Sequence, residues 1–172
     1  SMALGFGAIG AIYFAWQLNR EGPAVRVGDA GVALEKGGEL QRLLWCDIDR
    51  IAVEGTDLVL SGTGPTLRIA TTSHPLAATW ILKEAAERLR SIIDVPPKFA
   101  DDLPKPDPTD GTIGPIASLQ TTGRRCAKSR KVIKYERDAR LCPVCTQVYL
   151  NGQAPDECVT CKQPLKGRTV VP

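Results

Sequence analysis

Two short runs in this chain have the composition and spacing to hold a metal ion. They read Cys142-Pro143-Val144-Cys145 and, after twelve intervening residues, Cys158-Val159-Thr160-Cys161. A Cys-x-x-Cys pair supplies two thiolates from one tight turn. A polar, turn-rich loop between two such pairs can bring the second turn back opposite the first, which is what tetrahedral zinc requires. Four thiolates close the coordination shell. A hydrolytic zinc keeps one position open for water, so this pattern points to a structural ion. Thioredoxin-type redox chemistry would use a single Cys-x-x-Cys at a helix start, and two pairs argue against it.

The remaining candidates for chemistry are sparse. Cys46, beside Trp45, reads as a small buried apolar residue. Cys126 stands in Arg124-Arg125-Cys126-Ala127-Lys128, where basic neighbours could lower its pKa, although an ordinary exposed thiol is the plainer reading. His74 is the single histidine, it precedes a proline, and it reads as a helix cap. One histidine excludes a His-rich metal centre. Asp47 and Asp49, at i and i+2, would share one face of a strand with no second catalytic group near them. No glycine-rich phosphate loop precedes a helix, and no Gly-x-Ser-x-Gly elbow occurs. A catalytic constellation is therefore missing from the sequence, and a non-enzymatic role is expected.

The elements that must position the cysteines follow from composition. The chain of 172 residues carries a net charge of +3, unevenly distributed. Residues 1–18 carry no charge, residues 19–93 are nearly neutral and residues 94–122 are acidic, while residues 123–172 hold eleven Lys/Arg against four Asp/Glu. The apolar stretch from Met2 to Leu18 would extend roughly 25 Å as a helix, slightly short of a hydrocarbon core of about 30 Å. Tyr13, Phe14 and Trp16 crowd its end, as in a helix reaching a membrane interface. A buried core helix and a trimmed boundary, suggested by Ser1-Met2, are the competing readings.

From Pro23 onward the texture is β-rich. Strands are predicted over Ala24–Val27, Gly31–Glu35, Leu40–Trp45, Ile48–Glu54, Leu58–Leu60 and Leu67–Thr71, with glycine turns between them. An amphipathic helix is predicted from Pro75 to Ile93, burying Ala77, Ile81, Ala85, Leu89 and Ile92. Residues 94–122, with prolines at 96, 97, 104, 106, 108 and 115, read as a semi-extended tether. Val132, Ile133 and Tyr135 among lysines and arginines suggest a strand or short helix with one apolar face.

Strands in series followed by one helix, with Leu44-Trp45-Cys46-Asp47-Ile48-Asp49-Arg50-Ile51 as the carrier, resemble the pleckstrin-homology (PH)-like domains of bacterial membrane proteins. The resemblance implies a bent β-sheet or partial barrel with one C-terminal helix over residues 23–93. The lipid-binding members use a basic first hairpin. Val27-Gly28-Asp29-Ala30-Gly31 lacks one, so that function is not carried over. The C-terminal module resembles the four-cysteine zinc ribbons: a knuckle at Cys142–Cys145, a strand at Val148-Tyr149-Leu150, a turn at Asn151-Gly152 and a second knuckle at Cys158–Cys161. It departs from them in having Thr146 and Lys162 where glycine is common. A rubredoxin-like iron site uses the same geometry, so iron and electron transfer form an alternative.

The expected architecture is thus a multidomain α+β chain: an apolar helix at 1–18, a PH-like domain at 23–93, an acidic proline-rich linker at 94–122 and a basic zinc-ribbon module at 123–172. The expected function is that of a membrane-anchored adaptor, held through residues 2–18 in the bacterial inner membrane. Its soluble domains would face a reducing cytoplasm and bind protein partners. The alternative is a tethered nucleic-acid-binding ribbon. Arg124, Arg125, Lys128, Arg130, Lys131 and Lys134 would contact phosphates, or the basic segment 124–140 would lie on anionic lipid.

Overall fold

The computed structural model describes residues 23–112 and 119–172. The expected apolar helix at 1–18 lies outside the described residues. Among those that are described, no helix is long and apolar enough to cross a membrane.

Six strands open the fold: β1 (Val25–Gly28), β2 (Gly31–Lys36), β3 (Glu39–Leu44), β4 (Ile48–Glu54), β5 (Asp57–Gly62) and β6 (Leu67–Ala70). β1, β2 and β3 form an antiparallel sheet in that order, with Lys36 opposite Glu39 across a two-residue loop. Gly37 and Gly38 both take positive φ, 61° and 82°, which such a tight hairpin requires and which a side chain disfavours. The second sheet has the order β6-β5-β4-β7, where β7 (Ile93–Asp94) runs parallel to β4. Helix α1 (Pro75–Arg88) packs Ala78, Ile81 and Ala85 into a core that takes Val32, Leu34 and Leu43 from the first sheet and Ile51, Leu58, Leu60, Leu67 and Ile69 from the second. This is the mixed α+β arrangement of sheets with one principal helix that the strand-and-helix pattern implies.

Four local expectations are corrected. The third strand ends at Leu44, because Trp45–Asp47 forms a 3-10 turn that drops the indole into the core, where its Nε1 donates to the Gly28 carbonyl at 2.9 Å. Asp47 and Asp49 do not share a strand face: Asp47 sits in that turn, and the register of β4 on β5 slips between Ile48 and Arg50, leaving Asp49 in a bulge. Helix α1 stops at Arg88 rather than running to Ile93. Leu89 leaves helical geometry (φ −143°, ψ 44°), and this frees Ile93 to lie opposite Ile51 in the sheet. His74 occupies the cap position without a side-chain cap bond; its Nε2 is buried and unpartnered.

The start of the proline-rich stretch is also folded rather than extended. After β7, a short helix α2 (Pro97–Asp101) sets Phe99 and Leu103 against the core. The Thr79 hydroxyl then donates to the Pro104 carbonyl at 2.8 Å. Prolines forbid a long helix there, but they do not prevent apolar side chains between them from docking.

The C-terminal module contains one regular ladder, β8 (Ala139–Leu141) against β9 (Val148–Leu150). Its remaining structure is built from hairpin turns. Of the apolar trio Val132, Ile133 and Tyr135, only Ile133 is buried; Val132 is 42% and Tyr135 57% exposed.

Candidate metal centre and its docking surface

Each Cys-x-x-Cys run is bent into a knuckle by the same two backbone bonds. The Cys142 N–H donates to the Gln147 carbonyl and the Thr146 N–H to the Cys142 carbonyl, at 2.9 and 3.0 Å. The Cys158 N–H and the Lys162 N–H repeat the pattern at 2.8 and 3.0 Å. Thr146 and Lys162 sit at φ of 61° and 60°, the left-handed region where glycine is favoured. These are the positions where ribbons commonly place glycine, and here ordinary side chains accept the strained conformation.

The knuckles face each other so that all four sulfurs lie within 4.8 Å of one another. Cys142 and Cys161 are 3.6 Å apart and Cys145 and Cys158 3.5 Å, too far for disulfides. A tetrahedron with metal–sulfur bonds of about 2.3 Å has edges of about 3.8 Å, so the cluster could hold a metal ion such as zinc. Cys142, Cys145 and Cys158 are fully buried. The Cys145 thiol is pushed up by its hydrogen bonds to Cys142 and Cys158 and by burial. Cys158 is held far below the usual thiol range by hydrogen bonds from Cys142 and Cys145, and the Tyr149 hydroxyl adds to the effect. Burial pushes Cys161 up to about 11.

Tyr149 is a supporting residue that spacing alone does not reveal. Its hydroxyl donates to the Cys158 sulfur at 3.2 Å and accepts from the Val159 N–H at 3.1 Å, tying β9 to the second knuckle. Such outer contacts orient metal ligands and tune their basicity. Thr160 and Gln147 make a further tie between the knuckles at 2.6 Å.

The C-terminal module rests on the β-rich domain through two arginines and the Thr146 hydroxyl, which donates to the Ala30 carbonyl at 3.3 Å. Arg88, at the end of α1, donates to the Val144 carbonyl inside the first knuckle at 2.7 Å. It also pairs with Glu84 at 2.8 Å and Asp29 at 3.1 Å, and its guanidinium lies 5.8 Å from the centre of the Trp45 ring. Arg124 pairs with Asp47 at 2.6 Å. A small apolar cluster of Leu44 with Leu119, Ile133, Ala139, Leu141 and Val148 fills the space between the modules.

With 13% of its side chain exposed, Arg88 is the more buried of the two anchors. Arg88→Ala would strand Glu84, itself 20% exposed, and the Val144 carbonyl. We expect a loss of about 2–3 kcal/mol in urea denaturation, below the cost of a fully buried pair because Asp29 is largely solvated. Arg88→Lys should recover less than half of it, since a single ammonium nitrogen cannot span the Val144 carbonyl and the two carboxylates as the planar guanidinium does. A loss under 0.5 kcal/mol in Arg88→Ala would show that the contact does not bear weight.

The other cysteines differ from expectation. Cys46 is half-buried in a polar corner. Its thiol donates to the Asp47 carboxylate at 3.6 Å and is pushed up to about 12, first by burial and then by that carboxylate. Cys126 is fully buried rather than exposed. Burial raises its pKa, but the nearby Ser129 hydroxyl and the backbone N–H groups of Ser129, Leu150 and Lys128 outweigh it and give a net lowering. Lys128 acts there through its backbone N–H, not through its charge. Of the basic residues, Arg124 is drawn to Asp47, whereas Arg125, Lys128, Arg130, Lys131 and Lys134 are exposed.

A separate cleft of about 620 Å³ lies between β1 and the start of α1, walled by Val25, Val27, His74, Leu76 and Trp80. It contains no cysteine and is not part of the metal centre.

No curated protein and no solved structure matches the chain. Residues 1–75, which end where α1 begins and stop short of every metal-site cysteine, match the family of YqeB-like bacterial PH domains.

Proposed function

We propose that the protein is a non-enzymatic, membrane-anchored adaptor, in which a structural zinc ribbon is held on a PH-like domain so that the two present a joint surface to protein partners. The observation that carries this reading is the closed four-sulfur cluster seated on the end of α1. All four potential ligands face one another, leaving no protein-defined position for a substrate. The Arg88 bond to Val144 makes the knuckle part of the domain surface. Zinc is preferred to iron because the role asked of the ion is rigid cross-linking, not electron transfer. The anchor would be the apolar segment 2–18, with the ribbon on the cytoplasmic side, where thiols stay reduced.

The reading is tested on purified full-length protein by metal analysis and visible absorption, together with membrane fractionation of the producing cells. The expected result is one zinc per chain, no colour, and recovery in the membrane fraction, with a chain starting at residue 23 recovered in the soluble fraction. A red, iron-loaded protein would replace the adaptor with an electron carrier. Equal partition of the two chains would remove the anchor.

A further inference from the structure

The ribbon contains a third knuckle. The Cys126 N–H donates to the Lys131 carbonyl at 2.8 Å and the Arg130 N–H to the Cys126 carbonyl at 2.8 Å, the same two bonds that shape the metal knuckles. Arg130 takes φ of 61°, matching Thr146 and Lys162. An antiparallel bridge, Arg125 opposite Val132, closes the hairpin as Glu157 opposite Pro164 closes the last one. Cysteines 126, 142 and 158 are spaced sixteen residues apart, and the seventh residue after each (Ile133, Tyr149 and Leu165) is buried. The repeat breaks at one ligand position, where Ser129 stands in place of Cys145 and Cys161. The Cys126 sulfur instead accepts the Ser129 N–H at 3.5 Å, so the turn is braced by its own thiol without an ion.

The outside of this hairpin also sets it apart. Its turn carries Lys128, Arg130 and Lys131, while the equivalent tip positions of the other two knuckles hold a single cation, Lys162. Arg125 and Lys134 flank it. All five cations are exposed, none pairs with a carboxylate among the described residues, and no acidic residue occurs from Leu119 to Tyr135. Tyr135 follows, 57% exposed, with the Arg137 guanidinium 5.0 Å from its ring centre. A rigid turn that fixes cations beside an open aromatic face is suited to a phosphodiester chain with an unpaired base.

We propose that hairpin 124–134 is a nucleic-acid-binding surface, in which Arg125, Lys128, Arg130, Lys131 and Lys134 contact phosphates and Tyr135 stacks a base. The exposed Tyr135 ring favours nucleic acid over a bilayer, since a base stacked on an aromatic face adds to the phosphate contacts of a single strand. The inference goes beyond the adaptor reading and does not depend on which metal is bound.

The test measures anisotropy of a labelled twenty-nucleotide oligothymidine with the full-length protein in detergent, between 50 and 200 mM salt. Five phosphate contacts on a single strand give a log–log slope of about −3.5, or about a hundred-fold weakening over that range. Lys128→Glu/Arg130→Glu/Lys131→Glu should abolish binding at 200 mM salt while metal content stays unchanged. Tyr135→Ala should weaken oligonucleotide binding about ten-fold. If the triple variant loses its metal, Arg125→Gln/Lys134→Gln, which lies outside the turn, decides the matter with a slope falling to about −2. Wild-type binding that is absent or insensitive to salt would overturn the proposal. So would a charge-altered variant that keeps its metal and binds as tightly as wild type, or attachment to anionic vesicles (phosphatidylglycerol in phosphatidylcholine) with no affinity for the oligonucleotide. Loss of zinc would overturn the adaptor reading separately, since metal content is read independently.

Discussion

Replacing Cys142 and Cys145 with serine is expected to unfold residues 119–172 and to leave the β-rich domain standing. Two of the four sulfurs would be lost, and the rest of the ribbon has little else to hold it. Its regular structure is one three-residue ladder, and its buried side chains are few: Leu119, Thr121, Ile133, Ala139, Leu141, Val148, Tyr149 and Leu165 besides the cysteines. Metal binding at comparable small sites supplies about 10–16 kcal/mol, and in a module of this kind that is the folding energy. The core runs on from the strands and α1 into Cys126, Cys142, Cys145, Tyr149, Cys158 and Leu165 of the ribbon, but most of its buried side chains, from Val32 through Leu89, belong to the strands and α1, which should keep them. Amide resonances from 119–172 should collapse in the variant while those of 25–94 persist. A strong chelator should do the same to the wild-type protein.

The pH dependence follows from the same chemistry. Thiols must give up protons to bind a metal, so acid competes with the ion for the sulfurs. The stability that metal binding contributes should be present at neutral pH and should drain away as falling pH returns protons to the cysteines and releases the ion. A double-serine variant whose ribbon resonances match the wild type would end the metal-centred account of this module.

The second large effect is expected at Trp45. Its side chain is fully buried, its indole N–H satisfies the Gly28 carbonyl, and its ring faces the Arg88 guanidinium. Trp45→Ala should cost about 3–5 kcal/mol through the cavity it leaves, with the Gly28 carbonyl losing its donor as well. With a urea m-value of about 2 kcal/mol/M, the midpoint followed by circular dichroism should fall by about 2 M. Trp45→Phe should cost less, because most of the volume is kept. Because Arg88 also holds the first knuckle, Trp45→Ala should in addition loosen the ribbon, read as faster metal release to a chelator. A loss below 1 kcal/mol would mean that the core closes over the gap.

Much of the local structure is legible in the residues themselves. Alternation and glycine punctuation place six strands within one to two residues, and Ile48–Glu54 is reproduced at both ends. The cysteine spacing identifies the four sulfurs that come together. Both signals are short-range: a turn, a strand or a knuckle is decided by residues within about ten positions of one another. The sixteen-residue spacing of Cys126, Cys142 and Cys158 also lies in the sequence, but with Ser129 in place of a second cysteine only the folded hairpin shows a third knuckle there.

What tertiary structure alone decided is how these pieces meet. Arg88 reaches the Val144 carbonyl across 56 positions and Arg124 reaches Asp47 across 77. Neither pairing has a periodicity to betray it. The chain leaves the α-helix at Leu89 because Ile93 gains a strand partner in β4, and the apolar run through Ile92 would otherwise continue a helix. Cys126 is flanked by arginines and lysines, and only the folded hairpin turns its sulfur inward onto backbone amides. Spacing along the chain determines which groups can form a turn or share a metal. Which surfaces then exclude water together depends on the docking of whole modules, and no local pattern records that.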